Sequence, residues 1–356
     1  MTPRRGAPID AAMADDPLTL RLDGDALVAN WRALDRMSGA AACGAAVKAD
    51  GYGLGAAEVA ARLAHAGCRD FFVATWAEAL ALAPLGLPLA VLHGVRAVDM
   101  AAAISGAARP VLNTAAQVAR WRAAGGGAAC DVMVDTGMNR LGIAAEDVGA
   151  GLLDGLTIDT LMSHLASADE DVAMNDAQRV AFVAVAAQVR ARRYSLANSA
   201  GIALGAAYAF DLVRPGLALY GGVPRADMAG AIAQVVTPEA DILQRRIVRA
   251  GATIGYNATW TAPADTQVAI LNIGYADGYS RSFSDTGTAR AGGVALPVIG
   301  RVSMDLTAID VSAAPDLAEG DRVTLDFALP QAAAASGRSQ YELLTSLGGR
   351  YARVWA

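Results

Sequence analysis

The sequence predicts an α/β protein in two parts: an N-terminal (β/α)8 barrel of the TIM type over residues 17–235 and a C-terminal, mainly antiparallel β domain over residues 236–356. Three observations predict it. Between residue 42 and about residue 215, short runs rich in Val, Ile, Leu and Phe alternate with alanine-rich stretches of helical period, the pattern of successive βα units. Eight such runs occur, the number a closed barrel requires. After about residue 235 the long helical stretches give way to consecutive β-like runs punctuated by glycine and proline.

The expected barrel strands are 42–48, 70–75, 89–93, 110–113, 131–135, 158–164, 194–198 and 211–214. Amphipathic patterns over 56–66, 114–124 and 176–192 supply helices between them. The arginines at the end of the last suit the negative end of its helix dipole. An earlier helix over 26–37 closes the bottom or side of the barrel. In the second domain the strands are 242–248, 267–273, 293–299, 307–311 and 322–327, with one late helix near 340–346. The alternation Leu18, Leu20, Leu22 marks a strand near 17–22 that can join the second sheet. About the first 16 residues read as a loose tail, since acids stand where a signal peptide carries its apolar core.

Composition narrows the function classes. Hydrophobic residues make up 54% of the chain and charged residues 18%, enough for a large core and too few charges for a disordered protein. A net charge of −6, with no Lys/Arg run, argues against a nucleic-acid partner. No apolar stretch approaches the ~18 residues of a membrane span. Cys43, Cys68 and Cys130 are widely spaced, have no CxxC pattern and read as buried, reduced thiols. The expectation is a soluble, cytoplasmic protein with no metal site.

A TIM barrel carries its chemistry at the C-terminal ends of its strands, so polar residues there weigh more than others. Strand one ends in Lys48, the single lysine of the chain, within AVKADGYGLG. Strand five runs into DTGMNRLG with Arg140, strand six ends in His164, strand seven in Asn198–Ser199 and strand eight in Arg214. Each has a plainer reading taken alone: a solvated lysine, a core or surface histidine, a serine N-cap, an arginine paired with an acid. Together they describe one mouth. A strand-end lysine in an apolar pocket has a lowered pKa and forms Schiff bases with carbonyl cofactors. The glycine loop after Lys48 lets backbone approach a ligand, and the strand-seven and strand-eight turns are where barrels commonly bind phosphate. A lysine for an imine, a phosphate cradle and an Arg/His pair describe a pyridoxal-phosphate site.

Eight segments in order, AVKADGYGLG, VDTGMNRLG, SHLASADE, NSA, VRPGLALYG, IGYNATW, IGYADGYSR and GRVSMDLTAID, closely resemble those of bacterial alanine racemases, barrel-type pyridoxal-phosphate enzymes, over nearly the whole chain. The resemblance implies that Lys48 holds the cofactor as an imine and serves as one base. It implies that Tyr52, Ser199 and the backbone of Gly216 and Leu217 bind the phosphate. Arg140 would donate to the phenolic oxygen and help place the substrate carboxylate; His164 would buttress the ring and hydrogen-bond Arg214, which contacts the pyridine nitrogen. Tyr256 would be the second base, with Tyr275 and Met304 lining the substrate pocket. The family's head-to-tail homodimer would deliver these three from the partner subunit. The activity implied is interconversion of L- and D-alanine, for peptidoglycan supply or for catabolism, with a broader amino-acid racemase as the alternative.

Two positions depart from the family pattern. Where many members carry a carbamylated lysine two residues before the Asp of DTG, this chain has Met133, so Arg140 is expected to be held by a neutral group such as Asn139 or by a bound anion. Where many carry a phosphate-binding tyrosine, this chain has Gly349, with Tyr351 two residues later.

The chemistry asks for these residue types. Racemisation removes a Cα proton from one face and returns one to the other, so two opposed bases suit it. A tyrosine, with an ordinary pKa of about 10, needs nearby cations to serve. An arginine at the ring nitrogen cannot lend its proton, which weakens the electron sink and limits side reactions. Barrel-type pyridoxal-phosphate decarboxylases place an acid there instead. A pyridoxal-phosphate carrier, a single barrel, would leave IGYNATW and GRVSMD unexplained.

Overall fold

The computed structural model describes residues 16–125 and 127–356, so the expected N-terminal tail lies, save its last residue, outside the described residues. Two compact units form. One spans Leu27–Ala233; the other joins the segment up to Ala26 to Gln234–Ala356.

In the first unit seven parallel strands follow one another in a single sheet: Ala45–Ala46, Phe71–Val73, Leu89–Val91, Arg109–Leu112, Cys130–Met133, Ile158–Met162 and Arg193–Ser195. The eighth, Leu212–Val213, pairs in parallel with Ala42–Cys43. On its other side Asp211 N–H donates to Tyr194 O at 3.0 Å and Arg214 N–H to Ala197 O at 2.9 Å, which closes the ring. The first strand therefore splits at Gly44, pairing with the last strand before it and the second strand after it. Only glycine fits there, because a Cβ would lie 2.9 Å from both Asp70 O and the Phe72 ring. The strands are short and apolar on both faces, as a ring covered by helices demands.

Helix Ala56–Ala66 has the expected limits, and Ala115–Ala124 starts after Thr114, whose side chain accepts Gln117 N–H as the cap. Helix Gly24–Met37 begins two residues earlier than expected; beyond the unit boundary its Trp31 donates to Cys43 O at 3.1 Å, bracing the side of the barrel. The helix expected over 176–192 runs instead from Ala173 to Ala186. Arg192, which read as part of its cap, has another task beside its neighbour Arg193. Arg192 binds Asp159 at 2.5 Å and Arg193 binds Asp70 at 2.6 Å, part of an ionic floor under the barrel. Arg109 completes this floor with Asp131 and Asp159, each at 3.3 Å.

The second unit is built on Val236–Val248, thirteen residues long and irregular between Ile242 and Gln244. Its first half pairs antiparallel with Leu18–Leu22 and Arg322–Leu325, its second half with Thr266–Leu271. The strand starts six residues before the expected one; Pro238, which has no N–H to donate, lies opposite Leu20 and hides the pattern. Ala352–Trp355 adds in parallel to Leu18–Leu22, an exception to the antiparallel order. Also unanticipated are helix Leu329–Ser336, strand Thr288–Ala291 and the small hairpin of Thr253–Ile254 with Trp260–Thr261. Val248, Ala262, Val268 and Ile299 form one core cluster under this hairpin.

All three cysteines are buried free thiols, and burial pushes their pKa values up. Among the described residues no helix is long and apolar enough to cross a membrane.

Candidate active site

The C-terminal mouth of the barrel gathers Lys48, Tyr52, Arg140, His164, Ser199, Arg214, Gly216 and Leu217 within the first unit. Lys48 follows Val47, the buried end of the first strand, whose N–H donates to Phe72 O at 2.9 Å. Burial lowers the lysine pKa and Arg140 lowers it further, with Glu78 acting against both. This is the electrostatic setting of an amine that works unprotonated.

After Lys48 the backbone turns left-handed for four residues, with φ of 53° at Ala49, 52° at Asp50, 62° at Gly51 and 56° at Tyr52. Asp50 Oδ1 accepts Ala56 N–H at 2.9 Å, and Glu78 Oε1 accepts Ala49 N–H at 2.7 Å. The turn lays the Tyr52 ring on Tyr220, centroids 4.6 Å apart. Tyr220 in turn donates to Ala46 O at 2.8 Å, tying the stack to the first strand.

Ser199 opens helix Ser199–Ala203, but the cap is Asn198, whose side chain accepts Gly201 N–H at 2.9 Å. The Ser199 hydroxyl instead reaches the next strand's turn, accepting Gly216 N–H at 2.9 Å and Ala218 N–H at 3.2 Å. Between them Leu217 N–H has no hydrogen-bond partner among the described residues. A Cβ on Gly216 would stand 2.2 Å from Tyr52 Oη, so only glycine lets that hydroxyl come so close.

Arg214 is 6% exposed, and burial brings its pKa down to about 10, which still leaves it charged at neutral pH. Its donors go to Ser195 Oγ and, at 2.5 Å, to Ser163 O. The expected hydrogen bond between His164 and Arg214 is not formed. The two meet only through charge: burial, then Arg214, Arg140 and Lys48, hold the His164 pKa down to about 3, so its ring is neutral. Gln178 fixes this corner, donating to His164 O at 3.1 Å while its oxygen accepts Ala166 N–H at 2.9 Å.

Arg140 departs from expectation too. Its loop is well made, since Asp135 Oδ1 accepts Gly137 N–H at 2.9 Å and Asn139 N–H at 3.2 Å. Yet the Arg140 side chain is exposed and makes no hydrogen bond or ion pair with any described residue. Asn139 does not hold it, because its amide points to Gly137 O at 3.4 Å. Met133 is buried in its strand, beside Met162, and offers no partner.

Tyr256, Tyr275 and Met304 belong to the second unit. Ala276 N–H donates to Met304 O at 3.0 Å and Tyr275 N–H to Ser303 O at 3.0 Å, which places the two segments side by side. A Cβ on Gly274 would lie 2.3 Å from Met304 O, hence the glycine of IGYADG. The Arg281 guanidinium lies 4.9 Å from the Tyr275 ring centroid. Tyr256 is 67% exposed, and its hydroxyl has no hydrogen-bond partner among the described residues. Tyr351 is buried in the same unit near Asp277 and Tyr279, and its hydroxyl has no hydrogen-bond partner among the described residues.

Sequence reasoning missed Ser163, Ser195, Gln178 and Glu78. Only Glu78 leaves a local signal, the Thr75-x-x-Glu78 capping box, and that signal speaks of a helix start rather than of Lys48. The donor set fits pyridoxal phosphate. Lys48 supplies an amine for its carbonyl, the orphaned Leu217 N–H beside Ser199 and Tyr52 suits a phosphate, and the cations around His164 suit an anionic ligand.

Comparison with known proteins agrees. Residues 22–224 match the family model "Alanine racemase, N-terminal domain", and residues 235–355 match "Alanine racemase, C-terminal domain". The chain is 45% identical to the alanine racemase of Acidiphilium cryptum over 94% of this chain and 98% of that one. It is 41% identical to a catabolic alanine racemase of Agrobacterium fabrum, covering 94% and 91%. Its fold is similar to the crystal structure of alanine racemase from Bartonella henselae with covalently bound pyridoxal phosphate, with a TM-score of 0.88, 34% identity and coverage of 96% and 99%. The biosynthetic alanine racemase of Pseudomonas aeruginosa superposes with a TM-score of 0.87 at 32% identity, covering 96% and 99%.

Proposed function

The chain belongs to the alanine racemase family, and from that premise we propose that it interconverts L- and D-alanine with pyridoxal phosphate, using Lys48 and Tyr256 as bases on opposite faces of the substrate. The observation that carries the reading is the setting of Lys48. The single lysine of the chain ends a barrel strand, partly buried, with its pKa lowered, in the mouth that also holds Ser199, Gly216 and Arg214.

When bound, pyridoxal phosphate supplies a carbonyl that takes up an amine and a conjugated ring that accepts the electron pair left at Cα. Tyr52, Ser199 and the Leu217 N–H would hold its phosphate. Lys48, its ammonium already disfavoured by burial, accepts or returns the proton at Cα on one side. Tyr256 does the same on the other. Arg140 is exposed and has no partner among the described residues, and its guanidinium would reach a substrate carboxylate. Arg214 would face the ring nitrogen, and because it keeps its proton it leaves that nitrogen unprotonated.

The same arginine argues against a decarboxylase, since such enzymes place an acid at the ring nitrogen where this chain would present Arg214. Lys48 and Tyr256 lie in different units, and Tyr256, Tyr275 and Met304 are all exposed. Those facts support a homodimer in which the second unit of one subunit completes the site of the other. Supply of D-alanine and its catabolism are both compatible with the relatives, which include a biosynthetic and a catabolic enzyme.

The test is racemisation by the purified, pyridoxal-phosphate-loaded protein across a panel of L-amino acids. Alanine should be turned over fastest. Cofactor bound at Lys48 with no Cα proton exchange for any amino acid would overturn the reading.

A further inference from the structure

Resting on that reading of Lys48, we propose that Glu78 is a positioning residue for the lysine, its carboxylate clamping the left-handed turn that carries Lys48 to the end of the second barrel strand. The turn needs a clamp. Ala49, Asp50 and Tyr52 are not glycine yet have φ between 52° and 56°, a conformation that strains each of them. It persists only where the surroundings over-determine it. Asp50 ties the turn forward to Ala56, and Tyr52 anchors its far end on Tyr220. Inside the turn Ala49 O accepts Gly53 N–H at 2.9 Å, and Glu78 ties the same residue, next to Lys48, to the end of the second strand through Ala49 N–H at 2.7 Å.

The other oxygen of the same carboxylate accepts Ala74 N–H at 2.7 Å and Thr75 N–H at 3.0 Å. One side chain thus joins the segments that follow two neighbouring barrel strands. The bland account is helix capping: Thr75 Oγ accepts Glu78 N–H at 3.3 Å, and Glu78 closes the capping box. Capping uses one carboxylate oxygen. The second, spent on a residue 29 positions away, is surplus to it. Glu78 is also the negative group acting on Lys48, where Arg140 is the cation that opposes it and neutral His164 stands nearby.

The test uses the pyridoxal-phosphate-loaded protein and three variants, Glu78→Gln, Glu78→Ala and Thr75→Ala. Racemisation kinetics, the pH profile of kcat/KM and the yield of borohydride-fixed label on the Lys48 peptide are read for each. Glu78→Gln keeps one acceptor oxygen where the carboxylate has two, so either Ala49 N–H or the Ala74 and Thr75 N–H pair loses its acceptor while the charge is removed. It should lower kcat about 10-fold, hold KM within about threefold and move the acid limb of the profile to lower pH. Glu78→Ala should lower kcat about 100-fold and reduce the label yield with it. Thr75→Ala opens the cap and leaves the clamp, so it should melt at a lower temperature and keep the parent's pH profile and label yield.

A parental kcat and pH profile in Glu78→Ala would overturn the proposal, as would a Thr75→Ala protein that matches Glu78→Ala in every readout. If Glu78→Ala does not fold, the contrast between Glu78→Gln and Thr75→Ala decides alone. Failure of the underlying reading is separate, because it appears in the parent as an unlabelled Lys48.

Discussion

The hydroxyl of Ser199 accepts the N–H of Gly216 at 2.9 Å, joining the turns that follow the seventh and eighth barrel strands. Since Ala218 N–H shares the same acceptor, Ser199→Ala leaves two buried donors unpaired, at a cost of about 1–3 kcal/mol each. The variant should melt at a lower temperature and bind pyridoxal phosphate at least about 10-fold more weakly. Gly216→Ala should weaken binding as well, by pushing the Tyr52 hydroxyl away. Cofactor titration followed by absorbance checks both; unchanged affinity would remove this corner from the phosphate site.

Lys48 is the single lysine of 356 residues, which makes covalent capture unusually clean. The purified protein is expected to be yellow, and borohydride should fix the cofactor on the peptide that contains Lys48. Peptide mapping decides it. Label confined to the N-terminal amine, or none, would remove Lys48 from the site.

Met133 is buried and apolar, and Arg140 has no partner among the described residues. Activity should therefore be the same in degassed buffer and in buffer with added bicarbonate. A loss on degassing that bicarbonate restores would require a carbamate, and the only lysine available to carry one is Lys48.

Lys48→Ala and Tyr256→Phe should each be nearly inactive. If the two residues meet from different subunits, mixing the variants under subunit exchange puts both defects in one site of a hybrid dimer and neither in the other. Random mixing makes about half the dimers hybrid, so roughly a quarter of wild-type activity should return, because proton transfer needs both groups within about 3 Å of one Cα. No recovery despite demonstrated exchange would rule out the shared site.

Asp131 should leave a mark on stability. Burial raises its carboxyl to about 6, against the opposing pull of Arg109, while an unfolded aspartate titrates near 3.9. Between about pH 4 and pH 6 the folded protein holds a proton that the unfolded chain has lost, so stability falls as pH rises through that window. Asp131→Asn should flatten this limb, an effect of about 3 kcal/mol at most. Asp159 works in the opposite sense: burial pushes it up, but Arg192, Arg109 and Arg193 hold it at about 2, so its contribution is lost as pH falls toward 2. Melting curves of parent and variant from pH 2 to pH 8 check both; parallel curves between pH 4 and pH 6 would contradict the Asp131 assignment, and no loss of stability below pH 4 would contradict that of Asp159.

What the sequence determined by itself is what depends on near neighbours along the chain. Alternating apolar and helical periods are local, so the eight barrel strands and helix Ala56–Ala66 could be read directly. Lys48, His164, Ser199 and Arg214 were legible because strand ends are local and a barrel points all of them to one mouth. Tertiary structure decided which polar groups meet. Glu78 and Ala49 lie 29 residues apart, Arg214 and Ser163 lie 51 apart, and nothing near either member of a pair announces the other. Arg192 looked like part of a helix cap because the dipole argument is local, whereas Asp159, 33 residues before it, draws it into the barrel floor, where its neighbour Arg193 binds Asp70, 123 residues before it. Strand Leu18–Leu22 pairs with Val236–Val248 rather than with the barrel that follows it in sequence, because its alternating apolar face is buried only in that sheet. Period and punctuation come from short-range backbone preference; partnership comes from which donors and acceptors the closed fold leaves within 3 Å of each other.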